Sequence, residues 1–362
     1  MNKNQKINHL YNPSKNILLS DFLAPLSVRV ELMNYFKTET EAGLLDKLNV
    51  DFYYLSFRDL SQNETLKSLY KGPSLWYDEK HRKCPFGITW KRAVYDDKFG
   101  VDEAVNGPFR GFETTENDIL NYNWPDPEEY DYTQLVSECE MYRDKILVGG
   151  LWSGIHGDSN RMMGYENFLF NIAMNKPLVK VLVDRITEFY LKANRKYFEA
   201  VKGKMDIFFM GNDFGTQNGL LISLEDWFDI YYENYKKLID LAHSYGFKVM
   251  VHSCGGIYDL LPYFIKLGID ILDPVQTTAK GMNPDVLIEN YGKDLVFHGA
   301  IDTQHMLMDH SSDEVYEYCL EMIRIFNKFG MFVIAPSNNF MPGTPVENIL
   351  SVYKAADESK GW

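Results

Sequence analysis

From about residue 146 onward, short apolar runs alternate with segments whose apolar residues recur at helical spacing. The runs are KILVGGLWSGIH (145–156), MDIFFMGNDFG (205–215), FKVMVHSCGG (247–256), IDILDPVQ (269–276), DLVFHGAIDTQ (294–304) and GMFVIAPSNN (330–339). Each ends in a polar or glycine-containing cluster, as a buried strand entering a loop does. Between several runs lie amphipathic segments, among them 225–244 and 313–328, the latter opening on acidic residues suited to a helix N-terminus. Strand–helix alternation predicts parallel strands joined by right-handed crossovers. Two earlier runs, ILLSDFLAP (17–25) and VDFYYLSF (50–57), bring the strand count to eight, which predicts an α/β fold of the (β/α)8 TIM-barrel class. An open doubly wound sheet is the alternative. The stretch 60–145 carries the turn signals KGP, CPFG, NGPFRG and WPDPEEY. It reads as a loop-rich excursion over the barrel mouth within one domain spanning 1–362, not as a second domain.

Composition narrows the partners. The chain has 362 residues, 45% of them hydrophobic, enough for one large core. A net charge of -14 argues against nucleic acid, which needs a basic surface. No apolar run is long enough to span a membrane, and the polar start MNKNQKINHLYNPSKN has no signal-peptide core. Four scattered cysteines form no disulfide framework, so a reducing, cytoplasmic setting is expected. The chain has neither a GxGxxG turn after a strand nor a GxxxxGK[ST] loop, which lowers the case for NAD or ATP chemistry.

In a parallel barrel the active site lies at the C-terminal strand ends. The polar residues there are His156 and Asp158; Asn212, Asp213 and Gln217; His252, Ser253 and Cys254; Asp273 and Gln276; Asp302, Gln304 and His305; and Ser337, Asn338 and Asn339. In His252-Ser253-Cys254, residues i and i+2 share one side, so an imidazole nitrogen and a sulfur could reach one zinc ion. The competing reading is a buried histidine and a small apolar cysteine beside a glycine turn. Asp213 and Asp302 are candidate catalytic carboxylates or, equally, loop caps. The aromatics Tyr122, Trp124, Tyr130 and Tyr132 either line a lid or seal the excursion against the barrel.

The segments RMMGYENFLFN, GNDFGTQNGLLIS, VMVHSCGGIYDLLP, GIDILDPVQTTAKGM, LVFHGAIDTQ and APSNNFMPGTPVENI stand in an order that resembles the uroporphyrinogen decarboxylase family in its broad sense. The likeness runs from about residue 145 to the end; the first 140 residues match only through FGITWKR and the NWPDP turn. It implies a (β/α)8 barrel and, commonly, a homodimer. It also implies one of two chemistries. Decarboxylation of a tetrapyrrole with eight carboxylates needs arginines, but only Arg29 and Arg58 occur in the first 60 residues, and the letters around Asp59 do not align with the family aspartate. The methyltransferase branch uses zinc on a His-x-Cys pair and a later cysteine. His252 and Cys254 match the pair, whereas Asn338, a poor zinc ligand, stands at the third position. A carboxylate such as Asp213, or a residue from the N-terminal region, could replace it.

The resemblance therefore leads to a methyltransferase that moves a methyl group between a small methylated or methoxylated compound and a corrinoid carried by a partner protein. On this reading His252 and Cys254 hold zinc, and Asp213 donates a proton, which needs a raised pKa. Asp302 is a further catalytic candidate. Asn212, His156, Gln217, Gln276, Gln304 and Asn338 orient the substrate. The alternatives are a cofactor-free decarboxylase and a non-catalytic barrel that binds a corrinoid or substrate.

Overall fold

The computed structural model describes residues 2–13, 17–55, 69–72, 80–94 and 100–360. All eight expected strands are present. They are β1 (Leu19–Ser20), β2 (Phe52–Tyr54), β3 (Ile146–Gly149), β4 (Ile207–Gly211), β5 (Lys248–His252), β6 (Ile271–Val275), β7 (Val296–Ile301) and β8 (Phe332–Pro336). Neighbouring strands pair in parallel from β2 through β3 to β8 and on to β1, so the chain forms a (β/α)8 barrel, not an open sheet. The seam between β1 and β2 is closed by Asp51. Its backbone N–H donates to the Ser20 carbonyl at 2.9 Å, and its carboxylate accepts from the Ser20 N–H at 2.9 Å.

Residues two apart on a strand face the same side. Leu19, Phe52, Ile146, Val148, Ile207, Phe209, Met250, Ile271, Val296 and Val333 form one apolar cluster inside the barrel. The other faces pack against the surrounding helices in a second, larger cluster. Strands buried on both faces explain the near-continuous apolar runs. Helix α1 (Lys3–Tyr11) covers the end away from the mouth. Its Leu10 and Ile7 pack into the interior cluster, Lys3 pairs with Asp206, and Lys6 pairs with Asp51 at 2.6 Å.

The outer ring includes α2 (Lys176–Val201), α3 (Leu224–Ser244) and α4 (Ser312–Phe326). In α3 the buried residues Trp227, Ile230, Tyr231, Tyr235, Leu238 and Ala242 make one helical stripe after the N-cap Ser223. Helix α4 opens on a capping box made by Ser311 and Glu314. Within the excursion, strands His81–Lys83, Thr89–Val94 and Gly100–Asn106 form an antiparallel sheet. Phe86 packs on Phe189 of α2, and the Arg161 guanidinium lies over the Trp90 ring. Tyr130 packs on Phe189 and Tyr132 on Tyr197, while Tyr122 and Trp124 pack on Phe109. Tyr130 and Tyr132 thus seal the excursion against the barrel, while Tyr122 and Trp124 pack within it. Arg58 and Asp59 lie outside the described residues.

Candidate active site

Strands β4 and β5 pair in register, Gly211 opposite His252. The loops that follow them touch backbone to backbone. Phe214 N–H donates to Ser253 Oγ at 3.1 Å, and Gly256 N–H donates to the Thr216 carbonyl at 2.8 Å. Two glycines make that approach possible. A Cβ on Gly215 would sit 2.5 Å from the Cys254 carbonyl oxygen. Gly255 has φ +87°, and a Cβ there would sit 2.5 Å from the Gly215 carbonyl carbon. The result brings Asp213 against His252 and Cys254. Cys254 N–H donates to Asp213 Oδ1 at 2.9 Å, and His252 Nε2 lies 3.4 Å from both Asp213 Oδ1 and Cys254 Sγ. One ligand atom from each of the three lies within 4.8 Å of the others. The Asp213 side chain is 57% exposed, so the cluster opens toward the mouth.

Carboxylate, imidazole and thiolate are zinc ligand types, and three protein ligands with an open side are the pattern of catalytic zinc sites. The donor set fits a zinc ion held by Asp213, His252 and Cys254. Asn338 lies where the resemblance places a cysteine, and its Nδ2 donates to Cys254 Sγ at 3.5 Å. It lies against the sulfur but adds no strong ligand. Asp213, one of the replacements the sequence offered, places its carboxylate 3.4 Å from His252 Nε2.

The electrostatics correct one expected role. Partial desolvation at the mouth pushes the Asp213 carboxyl up, but His252 and the Cys254 amide outweigh it and hold the group well below the usual carboxylate range. Asp213 is therefore ionised, and the raised pKa that a proton donor needs is absent. Burial works against charge on His252 too, but the Cys254 sulfur and the carboxylates of Asp213 and Asp273 drive its pKa well above the ordinary histidine value. The Cys254 thiol is pushed up by burial, partly offset by His252.

The other expected site residues divide. Gln276 braces the mouth: its Oε1 accepts from Gly255 N–H at 2.7 Å and its Nε2 donates to the Ser337 carbonyl at 3.2 Å. Asn212 is buried and spends its amide on structure. Its Oδ1 accepts from His156 N–H and Gly157 N–H, and its Nδ2 donates to Tyr235 Oη at 2.7 Å. His156 is buried among Phe168, Phe214 and Tyr231, with Nδ1 2.7 Å from Tyr231 Oη. Burial lowers its pKa to about 4. Neither joins the cluster. Asp302 accepts from Gln304 N–H at 2.9 Å and Met306 N–H at 3.4 Å, which makes it a loop cap. Gln304 and Gln217 are exposed on their loops, Gln217 carrying a backbone link to Lys280 N–H.

Behind the cluster lies a polar layer that the sequence reading found only in part. His252 Nδ1 lies 2.6 Å from Asp273 Oδ2, and Asp273 Oδ1 lies 2.7 Å from His298 Nδ1, an ion-pair contact with poor hydrogen-bond alignment. His298 Nε2 lies 2.9 Å from Asp21 Oδ2, which also accepts from Tyr54 Oη at 2.6 Å. Asp273 stood in the strand-end list, but Asp21, Tyr54 and His298 did not. The available signal was register: each lies two residues beyond an interior apolar residue, namely Leu19, Phe52 and Val296. Trp152 packs on His252, ring centroids 5.4 Å apart, and on Phe209 at 5.1 Å.

A model of the uroporphyrinogen decarboxylase (URO-D) family matches residues 112–359, well over half of the chain. The chain belongs to this family. Among solved structures, this URO-D family member is similar to a methyltransferase from Methanosarcina mazei, with a TM-score of 0.69 at 16% identity, covering 98% of each chain. At that identity the likeness establishes the fold. Xylanase 10B from Thermotoga maritima is a more distant likeness, TM-score 0.41 at 14% identity over 68% of this chain and 84% of that one. No curated protein matches the chain. Among the described residues no helix is long and apolar enough to cross a membrane.

Proposed function

We propose that this URO-D family member is a methyltransferase, moving a methyl group between a small methylated or methoxylated compound and a corrinoid protein. The observation that carries the reading is the convergence of Asp213, His252 and Cys254 within 4.8 Å at the mouth. Zinc held there would act as a Lewis acid, holding a thiolate or polarising an ether oxygen. Asp213 contributes an ionised carboxylate to the site, not a proton. His252 presents Nε2 to the cluster, and Asn338 faces the sulfur. Gln276 keeps the β5, β6 and β8 loops at fixed spacing, so the ligand types stay convergent.

Elemental analysis of protein purified without chelators tests this reading. About one zinc per chain is expected in the wild type, and close to none in Cys254→Ala. Methyl transfer to a cob(I)alamin carrier from a panel of methylated donors is the accompanying assay. Metal-free wild-type protein with no transfer to any donor would sink the reading.

Cofactor-free decarboxylation is the second reading, favoured by one observation: an ionised Asp213 beside a charged His252 could stabilise a cationic intermediate and supply a proton. Release of CO2 from uroporphyrinogen by metal-free protein under anaerobic conditions would establish it.

A further inference from the structure

Four groups inside the barrel do nothing in the scheme above. Asp21, Asp273 and His298 are each at most 1% exposed, and Tyr54 bonds to Asp21. Burying two carboxylates and an imidazole is costly, and such a set is often no better for stability than well-packed apolar side chains. The layer beneath is filled in that cheaper way, with Leu19, Phe52, Met250, Ile271 and Val296. The polar layer therefore has a task other than filling space. Its members come from β2, the ends of β1 and β5, and the middles of β6 and β7. They follow one another as Tyr54, Asp21, His298, Asp273 and His252. Only the last member reaches the mouth, where its Nε2 faces Asp213 and Cys254.

We propose that Asp273 and His298 are positioning residues, which hold the His252 ring so that Nδ1 is committed inward and Nε2 is presented to the mouth cluster. A turn of the ring would break the 2.6 Å contact with Asp273. Asp273 is in turn held through its second oxygen by His298. His298 is braced on its far nitrogen by Asp21, whose carboxylate Tyr54 fixes. Partners of a ligand histidine's second nitrogen commonly govern the orientation and basicity of the ligand. What is particular here is the length of the chain, which carries the restraint across the barrel to β1 and β2. The charges agree with it: burial opposes charge on His298, yet Asp273 and Asp21 raise its pKa to about 9. The consequence for metal affinity rests on the zinc reading above, whereas the restraint on the ring does not.

The experiment has two arms, with wild type, His298→Asn, Tyr54→Phe and Tyr353→Phe. Tyr353 is the control, because its hydroxyl donates to the Asp21 backbone carbonyl and not to the carboxylate. In metal-free protein, NMR of 15N-labelled histidine follows the His252 ring, assigned by its loss in His252→Gln. A slowly exchanging, far-downfield Nδ1–H is expected in wild type and Tyr353→Phe, shifted or lost in His298→Asn, and shifted by less in Tyr54→Phe. In the second arm, cobalt(II) is titrated and read by its thiolate absorption. His298→Asn is expected to bind about 10–100-fold more weakly. Tyr54→Phe, which keeps both charges and guards against a His298 variant that does not fold, should lose roughly threefold. An unchanged ring resonance in a folded His298→Asn or Tyr54→Phe protein overturns the proposal whatever the metal does. If wild type takes up no cobalt, the zinc reading falls alone and the ring resonance decides.

Discussion

Asp213 and Asp302 show how little a letter at a strand end settles. Both follow barrel strands and both were equal candidates in the sequence, but Asp302 is folded back on Gln304 and Met306 N–H groups while Asp213 meets His252 and Cys254. Asp302→Ala is expected to cost about 1 kcal/mol in denaturant unfolding, the usual loss for a cap, and to leave turnover within about twofold once expression is matched. Asp213→Asn should instead keep the unfolding midpoint and weaken zinc binding by tenfold or more, because a charged ligand becomes a neutral amide. Equal effects of the two substitutions on activity would contradict this division. His252 and Cys254 stood out because i, i+2 spacing puts them on one side of a strand, whereas Asp213 was only an alternative to a loop cap. His298 did not stand out, since a histidine within an apolar run declares its partner only when the register of three strands is known.

At the scale of elements, the apolar runs announced parallel strands buried on both faces, while the choice of barrel over open sheet rested on the count of eight and on the family resemblance. The approach of the loops after β4 and β5 was not legible, since it depends on which glycines face each other across a gap. Gly255 combines a positive φ with a contact that no side chain could share. Gly255→Ala should therefore destabilise the fold by about 1–3 kcal/mol and part Asp213 from Cys254, lowering metal affinity far more than substitution at Gly246, which has a positive φ but open space around it. Comparing metal affinity in the two variants separates loop contact from general backbone strain. A similar logic applies at the β1–β2 seam. Asp51→Ala leaves the Ser20 N–H and the Lys6 ammonium without their partner, and a loss of about 3 kcal/mol is expected on urea unfolding.

For the molecule as a whole, buried histidines set a window of pH stability. His156 has its pKa lowered to about 4 by burial, below the 6.5 of the unfolded chain, so the unfolded state takes up the proton first. Its contribution is present above pH 6.5 and is lost as pH falls toward 4, by about 3 kcal/mol at the lower end. His298 acts in the opposite sense. Its pKa of about 9 lies above the unfolded value, so its stabilisation is complete below pH 6.5 and fades as pH rises through 9. Unfolding midpoints across pH 4–10 should form a dome, with His156→Gln flattening the acid limb alone. An unchanged acid limb in that variant would assign the loss to other groups.

Helix α1 gives the barrel a floor. With Leu10 and Ile7 seated in the interior and Lys3 and Lys6 tied to Asp206 and Asp51, the barrel is closed at that end. On the proposed function, donor and acceptor both come to the cluster from the mouth. On the proposed direct transfer the small donor enters first and the large acceptor docks over it, so both are held at once when the group moves. Steady-state rates measured against both reactants should then give intersecting lines in a double-reciprocal plot, and parallel lines would contradict direct transfer.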